Sequence, residues 1–515
     1  MPGEAIQVGP FRGGLNTFSD ESAVADNELI VCNNFDPDVD GSLKSRPPAI
    51  EVGDALPLQD SVGYPRVIAE IRTDTGASII IGSDGEDKTY YFNGSVWTLI
   101  TNTFAASAAI EYNGVVWLVS PPSEASPGGY WSIGGGFTAD ANMPHGGDIV
   151  EFKSRLWVVR GKDATSDGTR LYFSKVLGQP DFWPAVANFI EVGVGDGENI
   201  VAISVYFNML LLWRTDSIFR FTFTSDPANG DVAVIVPGIG LESRESLASY
   251  EAYFYFMYRG RAYEFINNRA NHINPLVTFK PSAASDIVIP FAVSIVGQRV
   301  VFQWYEVSYV YHLRTKTWTT WTTTEFGSFG KWLPRPTVDG VDEAVCFSST
   351  AVPFGSGREA ILLSMLDTFG ARSESMLSEM QTKTYDYESA TLLKRIFLWT
   401  VSTAWNGVIR AIQSTVNYTD KPTWGRIREQ HTWGSLREQT WGTLSSDFLN
   451  HTTERTSESS APLRKEAKVG RSARFKRISY RVEFPNDGSS TTAPVRLFYL
   501  TTYVRAGQVI TKAVS

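Results

Sequence analysis

Histidine is the side chain best suited to acid–base or metal chemistry near neutral pH, and this chain has five, at positions 145, 272, 312, 431 and 451. They are scattered, without the HExxH or HxH spacing that places two imidazoles on one metal ion. No Gly-x-Ser-x-Gly motif marks a nucleophile. The sequence therefore predicts no catalytic residues and a protein that is not an enzyme.

Three alternating aspartates near the N-terminus form the best candidate for a metal site. Asp36, Asp38 and Asp40 precede Gly41, as in the opening of a calcium loop. The twelfth position of that loop is Pro47 instead of the glutamate that would bind calcium with both oxygens. We interpret the segment as a solvated turn and predict no metal.

A second candidate is the glycine-rich stretch 193–197, since such loops bring backbone N–H groups to a phosphate. The sequence that follows, 199–206, has the pattern of a strand and not of the helix that a phosphate loop requires. A turn between strands explains the glycines better, and no cofactor is predicted.

Three Thr-Trp-Gly tripeptides place Trp424, Trp433 and Trp441 in the polar segment 418–473. A tryptophan offers a large flat apolar surface that can anchor a protein interface or stack on a sugar. It can also pack back onto its own domain. We favour a protein interface and keep the other two interpretations open.

Length and charge limit the classes of function. The chain has 515 residues, with 46 Lys plus Arg against 55 Asp plus Glu and a net charge of −9. This negative charge argues against specific nucleic-acid binding. Two cysteines in unlike contexts predict no disulfide framework. Apolar runs are far too short for a membrane span and no secretory signal is visible, so we expect synthesis in a reducing cytoplasm.

Residues 63–366 repeat a pair of apolar, aromatic-rich strands around a short polar turn. Five copies lie at 109–120, 149–160, 202–214, 248–258 and 292–304. Equivalent positions in successive copies are 40, 55, 43 and 46 residues apart, which is the length of a propeller blade. With strand pairs at either end, this predicts an all-β protein built on a β-propeller of six or seven blades. A large β-sandwich has similar hairpins but no reason for a steady period.

The regions before and after the propeller differ from it in composition and do not share its repeat. Residues 1–62 are rich in Gly, Asp, Asn and Pro, and we interpret them as an extended assembly arm, with 22–33 as a candidate for a short helix. Such an arm is costly to order alone, so we expect it to lie on a neighbouring molecule through Phe11, Leu15 and Leu43. Residues 367–515 contain two further strand pairs and are predicted to form a β-sandwich bearing the Trp-rich segment as a loop.

The arm also carries a pattern of short motifs. Its pieces are Gly9-Pro10-Phe11-Arg12-Gly13-Gly14-Leu15-Asn16, Asn27-Glu28-Leu29, Asn33-Asn34-Phe35 and Asp40-Gly41-Ser42-Leu43-Lys44-Ser45-Arg46-Pro47-Pro48. This pattern resembles the opening of minor tail proteins of long-tailed bacteriophages and, more distantly, of the nozzle proteins of short-tailed ones. In that family a propeller with a "YFS … G … P … W" stretch follows, here Tyr172-Phe173-Ser174, Gly178, Pro180 and Trp183.

The resemblance implies a structural virion protein at the distal end of a phage tail, in the tail tip, baseplate or nozzle, made in the host cytoplasm. It implies a homo-oligomeric ring, threefold or sixfold, that holds other tail or receptor-binding proteins, with host surface components as further candidate partners. It carries over no catalytic residues and no cofactor. The alternative function is a carbohydrate-binding or carbohydrate-cleaving propeller acting on the host cell envelope. A scaffold propeller of the repeat type is a third candidate, but it leaves the arm unexplained.

Overall fold

A computed structural model gives the fold of the chain. It describes residues 4–19, 23–54, 56–58, 65–72, 78–159, 168–177, 182–185, 188–193, 197–279, 292–304, 307–322, 329–336, 342–347, 358–360, 362–366, 376–383, 394–404, 408–416, 450–456, 465–469, 474–475, 477–486 and 496–506. Within these ranges the structure is almost entirely β, and the helices are two short 3-10 turns, Pro227–Asn229 and Arg244–Ser246.

Five four-stranded antiparallel sheets follow one another along the chain, and we number them blades 1 to 5. Their strands are Arg66–Arg72, Ser78–Ser83, Thr89–Phe92 and Trp97–Thr101; Ala108–Tyr112, Val115–Val119, Gly129–Trp131 and Phe137–Ala139; Asp148–Phe152, Arg155–Val159, Arg170–Phe173 and Asn188–Glu191; Ile200–Tyr206, Met209–Arg214, Ser217–Thr222 and Asp231–Pro237; Leu247–Tyr250, Tyr253–Tyr258, Arg261–Ile266 and Arg269–His272. Each sheet is a simple meander, so sequence neighbours pair directly and tight turns suffice to connect them.

Two further units complete the ring. The first is a meander of the strands Ala292–Val296, Arg299–Trp304, Val307–His312 and Thr317–Trp321, which begins a ten-stranded sheet and is called the fused meander below. The second, the closing blade, is a four-stranded sheet of Leu333–Pro336, Asp342–Phe347, Leu362–Leu366 and, from the arm, Ala49–Glu51. Beside it, Leu56–Leu58 pairs with Arg358–Ala360.

Buried apolar clusters seal each pair of neighbouring units. One cluster joins blades 4 and 5 through side chains such as Trp213 and Phe256, and another joins the closing blade to blade 1 through Val345 and Val67. Because both faces of a blade are covered near the centre of the ring, the second strands of blades 2 to 5 are buried on both sides. The prediction of a β-propeller of six or seven blades is confirmed: six separate four-stranded sheets and the fused meander close the ring.

The arm folds onto its own chain. Its strands are Glu4–Val8, Gly14–Leu15, Glu28–Asn33, Phe35–Pro37 and Leu43–Ser45, besides the two that join the closing blade and its neighbour. The strand Glu28–Asn33 pairs with Met376–Thr382 on one side and touches Thr317–Trp321 on the other. The helix expected over 22–33 is therefore wrong in its second half: the β-branched run Ile30-Val31 fits an extended strand, and sheet pairing on both sides stabilises it.

The C-terminal strands extend the sheets that the arm begins. They are Met376–Thr382, Lys394–Ala404, Val408–Val416, Asn450–Thr456, Lys465–Val469, Arg474–Phe475, Arg477–Asn486 and Arg496–Ala506. The hairpins predicted here are split between two sheets, because Lys394–Ala404 and Arg496–Ala506 belong to a seven-stranded sheet and Val408–Val416 and Arg477–Asn486 to the ten-stranded one. The ring of Phe484 from one sheet packs edge-on against Phe35 from the other, with centroids 5.9 Å apart. The β-sandwich for 367–515 stays a prediction.

Candidate functional site

The motif residues of the arm meet at one buried junction between the arm, the propeller and the C-terminal strands. At its centre is Arg46, whose side chain has no solvent exposure. It donates from Nε to Asn34 Oδ1 at 2.9 Å and, through its terminal nitrogens, to the carbonyl oxygens of Pro47 at 2.9 Å and Thr322 at 3.1 Å. The guanidinium also lies 5.9 Å from the ring centre of Trp321. A buried charge is tolerable only when it is hydrogen-bonded in this way.

Asn34 connects all three parts of the junction. Its backbone is left-handed, with φ 57°, a conformation that asparagine adopts more readily than most residues. Besides Arg46, its Oδ1 accepts from the backbone N–H of Thr322 at 3.0 Å, and its Nδ2 donates to the carbonyl of Leu377 at 2.8 Å. One amide side chain therefore ties the arm to the propeller and to the C-terminal strands.

A second polar group in the junction surrounds Asp36. Arg299 of the fused meander donates to Asp36 Oδ2 from Nε at 3.0 Å, and a terminal nitrogen lies 2.8 Å from the same oxygen. His312 Nε2 is 2.8 Å from Thr319 Oγ1 and 3.9 Å from Asp36 Oδ1. Burial lowers the pKa of His312 to about 4, with Arg299 adding to the effect and Asp36 opposing it. The imidazole is therefore neutral at pH 7.

The cysteine and aspartate candidates for chemistry are structural in this setting. Burial, with the nearby charge of Asp36, raises the pKa of the Cys32 thiol, which makes it unreactive. Asp36 is engaged with Arg299, and Asp40 Oδ1 accepts from the N–H and hydroxyl of Ser42. No group of three or more His, Cys, Asp or Glu that could hold a metal ion occurs in the ranges that the structure describes.

Steric contacts explain why glycine is needed at position 14 in the Gly-Gly-Leu-Asn motif. Gly14 has φ +67°, and a Cβ there would lie 2.7 Å from Thr317 Cβ and 2.9 Å from the carbonyl oxygen of Trp318. Asn16 Nδ2 donates to Glu28 Oε2 at 2.8 Å, which joins this motif to Asn27-Glu28-Leu29. The motifs quoted from the sequence are thus contact points of one folded unit.

The predicted partner-binding residues of the arm lie inside the molecule. Phe11 and Leu43 are 0 % exposed and Leu15 is 4 % exposed, in a cluster that also contains Phe302 and Tyr480. This differs from the expectation that these side chains lie on a neighbour: large apolar side chains gain most by leaving water, and the chain's own propeller and C-terminal strands supply the surface that covers them. Trp424, Trp433 and Trp441 fall outside the described residues.

Sequence reasoning missed a pair of exposed apolar side chains, one on the arm and one in the segment that follows blade 5. Phe18 is 71 % exposed and Leu276 is 42 % exposed. The backbone N–H of Phe18 donates to the carbonyl of Leu276 at 3.1 Å, so the two residues are adjacent. The available signal was an aromatic residue in the otherwise polar run 16–19.

The second motif of the resemblance lies in the stretch from Tyr172 to Trp183 in blade 3. Those of its quoted residues that the structure describes are buried. Trp183 is 2 % exposed and shares a cluster with Tyr172 and with Trp117 of blade 2, whose ring centre is 6.5 Å away. It therefore seals the boundary between blades 2 and 3.

No protein-family model and no curated protein matches the chain. Similar solved structures include the computationally designed Ika8 protein, at 9% identity and a TM-score of 0.35, with 60% of this chain and 99% of that chain covered. The AfRom2 CNH domain is similar at 8% identity and a TM-score of 0.38, over 61% of this chain and 99% of that one. The Pan2 WD40 domain of Neurospora crassa is similar at 7% identity and a TM-score of 0.38, over 62% and 96%. Likeness at this level says nothing about what this chain binds or does. In the described residues, no helix is long and apolar enough to cross a membrane.

Proposed function

We propose that this chain is a structural protein at the distal end of a bacteriophage tail, where it assembles as a symmetric ring and holds neighbouring tail or receptor-binding proteins. The observation that carries the proposal is the arm junction. The arm segments by which the sequence resembles phage tail proteins converge there, around Arg46, Asn34 and Gly14. The resemblance therefore rests on residues that this architecture requires, and not on a loose terminal segment.

The proposed role is mechanical. One strand of the arm, Ala49–Glu51, completes the closing blade, and another, Glu4–Val8, pairs with the C-terminal strand Arg496–Ala506, so the arm links the propeller to the C-terminal strands. A ring component that transmits load gains from this arrangement, because pulling the arm away must shear whole strand pairs. Since Phe11, Leu15 and Leu43 are buried, we place the arm's contact with a second copy at the exposed Phe18 and Leu276.

Electron microscopy tests this function in two steps. Negative-stain images of the purified full chain should show rings of threefold or sixfold symmetry. Phage particles carrying a gold-labelled C-terminus on this protein should show label at the tail end distal to the head. Label on the head, or particles that lack the protein altogether, would refute the proposal. Sugar binding by a protein that stays monomeric would favour the carbohydrate-directed alternative.

A further inference from the structure

A cavity of about 430 Å³ lies among the inner strands of the propeller. Its wall is formed by the first strands of blades 3, 4 and 5, by the first strand of the fused meander, and by the segment 331–334 at the start of the closing blade. The cavity therefore lies near the propeller axis. Its volume is within the range of pockets that hold small molecules, roughly 300–1,000 Å³.

Two cations line this cavity at one end. Arg244 precedes the first strand of blade 5, and Lys331 precedes the first strand of the closing blade. Their side chains are 25% and 17% exposed, so both are mostly buried but still reach the cavity. Cations this deep in a protein require anionic partners.

The carboxylates that balance these cations already accept hydrogen bonds or pair with both cations. Asp148 Oδ1 accepts from Arg244 Nε at 2.6 Å and from the N–H of Ile149 at 3.0 Å, and its Oδ2 accepts from the N–H of Ile203 at 3.0 Å. Glu245 does not line the cavity; its Oε2 lies 3.3 Å from Lys331 Nζ and its Oε1 lies 3.6 Å from a terminal nitrogen of Arg244.

The donors, by contrast, outnumber the acceptors. An arginine has five N–H donors and a lysine three. Arg244 directs Nε to Asp148 and one terminal nitrogen toward Glu245, and Lys331 donates to the carbonyl of Leu247 at 3.3 Å besides pairing with Glu245. In the part of the chain that the structure describes, the remaining donors of both side chains have no partner, so they are available to a ligand.

The charged groups at this end of the cavity are strongly coupled. Burial works against the charged form of Glu245, but Lys331, Arg244 and Arg66 outweigh it and lower the pKa of Glu245 to about 2. Burial lowers the pKa of Lys331, with Glu245 opposing this effect and Arg244 adding to it. Arg244 and Lys331 thus face two carboxylates, Asp148 and Glu245, while Arg66 is exposed and lies outside the cavity lining. An anion would therefore be held by the remaining N–H donors of the two cations, and not by an excess of charge.

The rest of the lining is suited to an apolar body. Val150, Val205 and Leu333 line the cavity and are half-buried or exposed, so they offer aliphatic surface between the strands. The exposed carboxylate of Glu251 also lines the cavity, but it follows the four-residue strand Leu247–Tyr250 and is therefore about 13 Å along that strand from the Arg244 end. The cavity has a cationic end, an apolar middle and an acidic far end.

We propose that this cavity binds a small organic anion, with a carboxylate or phosphate head at Arg244 and Lys331 and an apolar body between the inner strands. The planar guanidinium matches either head geometry. The site is independent of the proposed tail function.

Calorimetric titration of the full chain tests the site with benzoate, phenyl phosphate and the neutral benzyl alcohol as probes. At least one anion should bind about tenfold more tightly than benzyl alcohol, since a hydrogen bond to a charged group contributes about 1.5–3 kcal/mol. The stronger of the two anions identifies the head group. Equal binding of all three probes, or no binding at millimolar concentration, would overturn the proposal.

A variant pair locates the site. Lys331→Gln removes the charge but keeps a donor for Glu245, and it should weaken anion binding about tenfold. Lys316→Gln makes the same charge change at a side chain that is 57% exposed outside the cavity, and it should leave binding unchanged. Should Lys331→Gln fail to fold, crystals of the unaltered protein soaked in 4-bromobenzoate replace it. A bromine peak inside the cavity, between the inner strands and on the side of the aromatic ring away from Arg244, supports the site, and peaks only elsewhere refute it.

Discussion

Arg46 and Asn34 share a hydrogen bond of 2.9 Å in which the charged donor is 0% exposed and the acceptor residue 2% exposed. The two residues are twelve positions apart on the arm, and each also reaches Thr322 of the propeller. The arm is therefore held by a buried polar contact as well as by apolar packing. Breaking such a contact leaves a buried charge without its acceptor, which is a large penalty.

Asn34→Ala should lower the free energy of unfolding by about 3 kcal/mol more than a matched surface change does. It removes the acceptor for Arg46 and for the N–H of Thr322, and the donor to Leu377. Asn113→Ala is the control, because Asn113 has the same φ of 57° but lies exposed in the hairpin turn of blade 2. Urea unfolding followed by fluorescence measures both. Equal losses in the two variants would show that the contact contributes nothing beyond backbone strain.

Gly14→Ala should detach the first part of the arm from the fused meander. The new Cβ would lie 2.7 Å from Thr317 Cβ, in a residue whose φ is already +67°. Gly114→Ala carries the same left-handed strain, with φ +76°, but its Cβ would meet nothing within 4 Å. We expect about 1 kcal/mol of destabilisation for Gly114→Ala and at least twice that for Gly14→Ala.

Limited proteolysis reports where that change acts. Gly14→Ala should speed cleavage within the arm, while blades 1 to 5 stay as resistant as in the unaltered protein. Unchanged arm cleavage in Gly14→Ala would contradict the close contact between this glycine and the strand Thr317–Trp321.

The pH dependence of stability should carry the signature of His312. Burial lowers its pKa in the folded chain from 6.5 to about 4. Above pH 6.5 both states are neutral at this site; as the pH falls from 6.5 toward 4, the unfolded chain binds the proton first and stability declines, and below about 4 the loss is complete. The free energy of unfolding falls by on the order of 3 kcal/mol over this pH range.

His312→Gln should flatten the stability profile between pH 6.5 and 4, since glutamine does not titrate. His272→Gln, which changes an exposed histidine in blade 5, is the matched control. Glu245 acts in a lower window: its stabilisation is complete above 4.5 and is lost as the pH falls toward 2, so the two contributions separate in one titration. A His312→Gln profile as steep as that of the unaltered protein would show that the imidazole is not held neutral.

The propeller could be predicted because its signals are local. A turn such as Asn113-Gly114, with φ of 57° and 76°, fixes a hairpin from two residues, and the repeat of such hairpins sets the period. The closure of the ring could not be predicted in this way. The strand Ala49–Glu51 pairs with Leu363–Met365 more than 300 residues later, and three residues of an irregular arm carry no signal that selects that partner.

The arm junction escaped prediction for a different reason. An arginine in a polar segment is normally exposed, so the composition around Arg46 indicates solvent contact and not full burial. Acceptors supplied by Asn34, Pro47 and Thr322 make its burial tolerable, and Thr322 comes from a distant part of the chain. The same holds for Phe11, Leu15 and Leu43, whose covering surface lies in the propeller and the C-terminal strands.

The tryptophan repeats separate ring assembly from sugar binding. Replacing Trp424, Trp433 and Trp441 with alanine together should abolish ring formation by the purified chain, because large aromatic side chains at the centre of an interface each contribute about 2 kcal/mol or more. Light scattering measures the loss of the oligomer, and the melting temperature checks that the propeller remains folded. The matched control replaces the same three residues with phenylalanine, which keeps an apolar ring and should restore part of the assembly. If the alanine variant still forms rings but no longer binds glycans of the host envelope, the interface interpretation of the three tryptophans fails and the sugar-stacking interpretation replaces it.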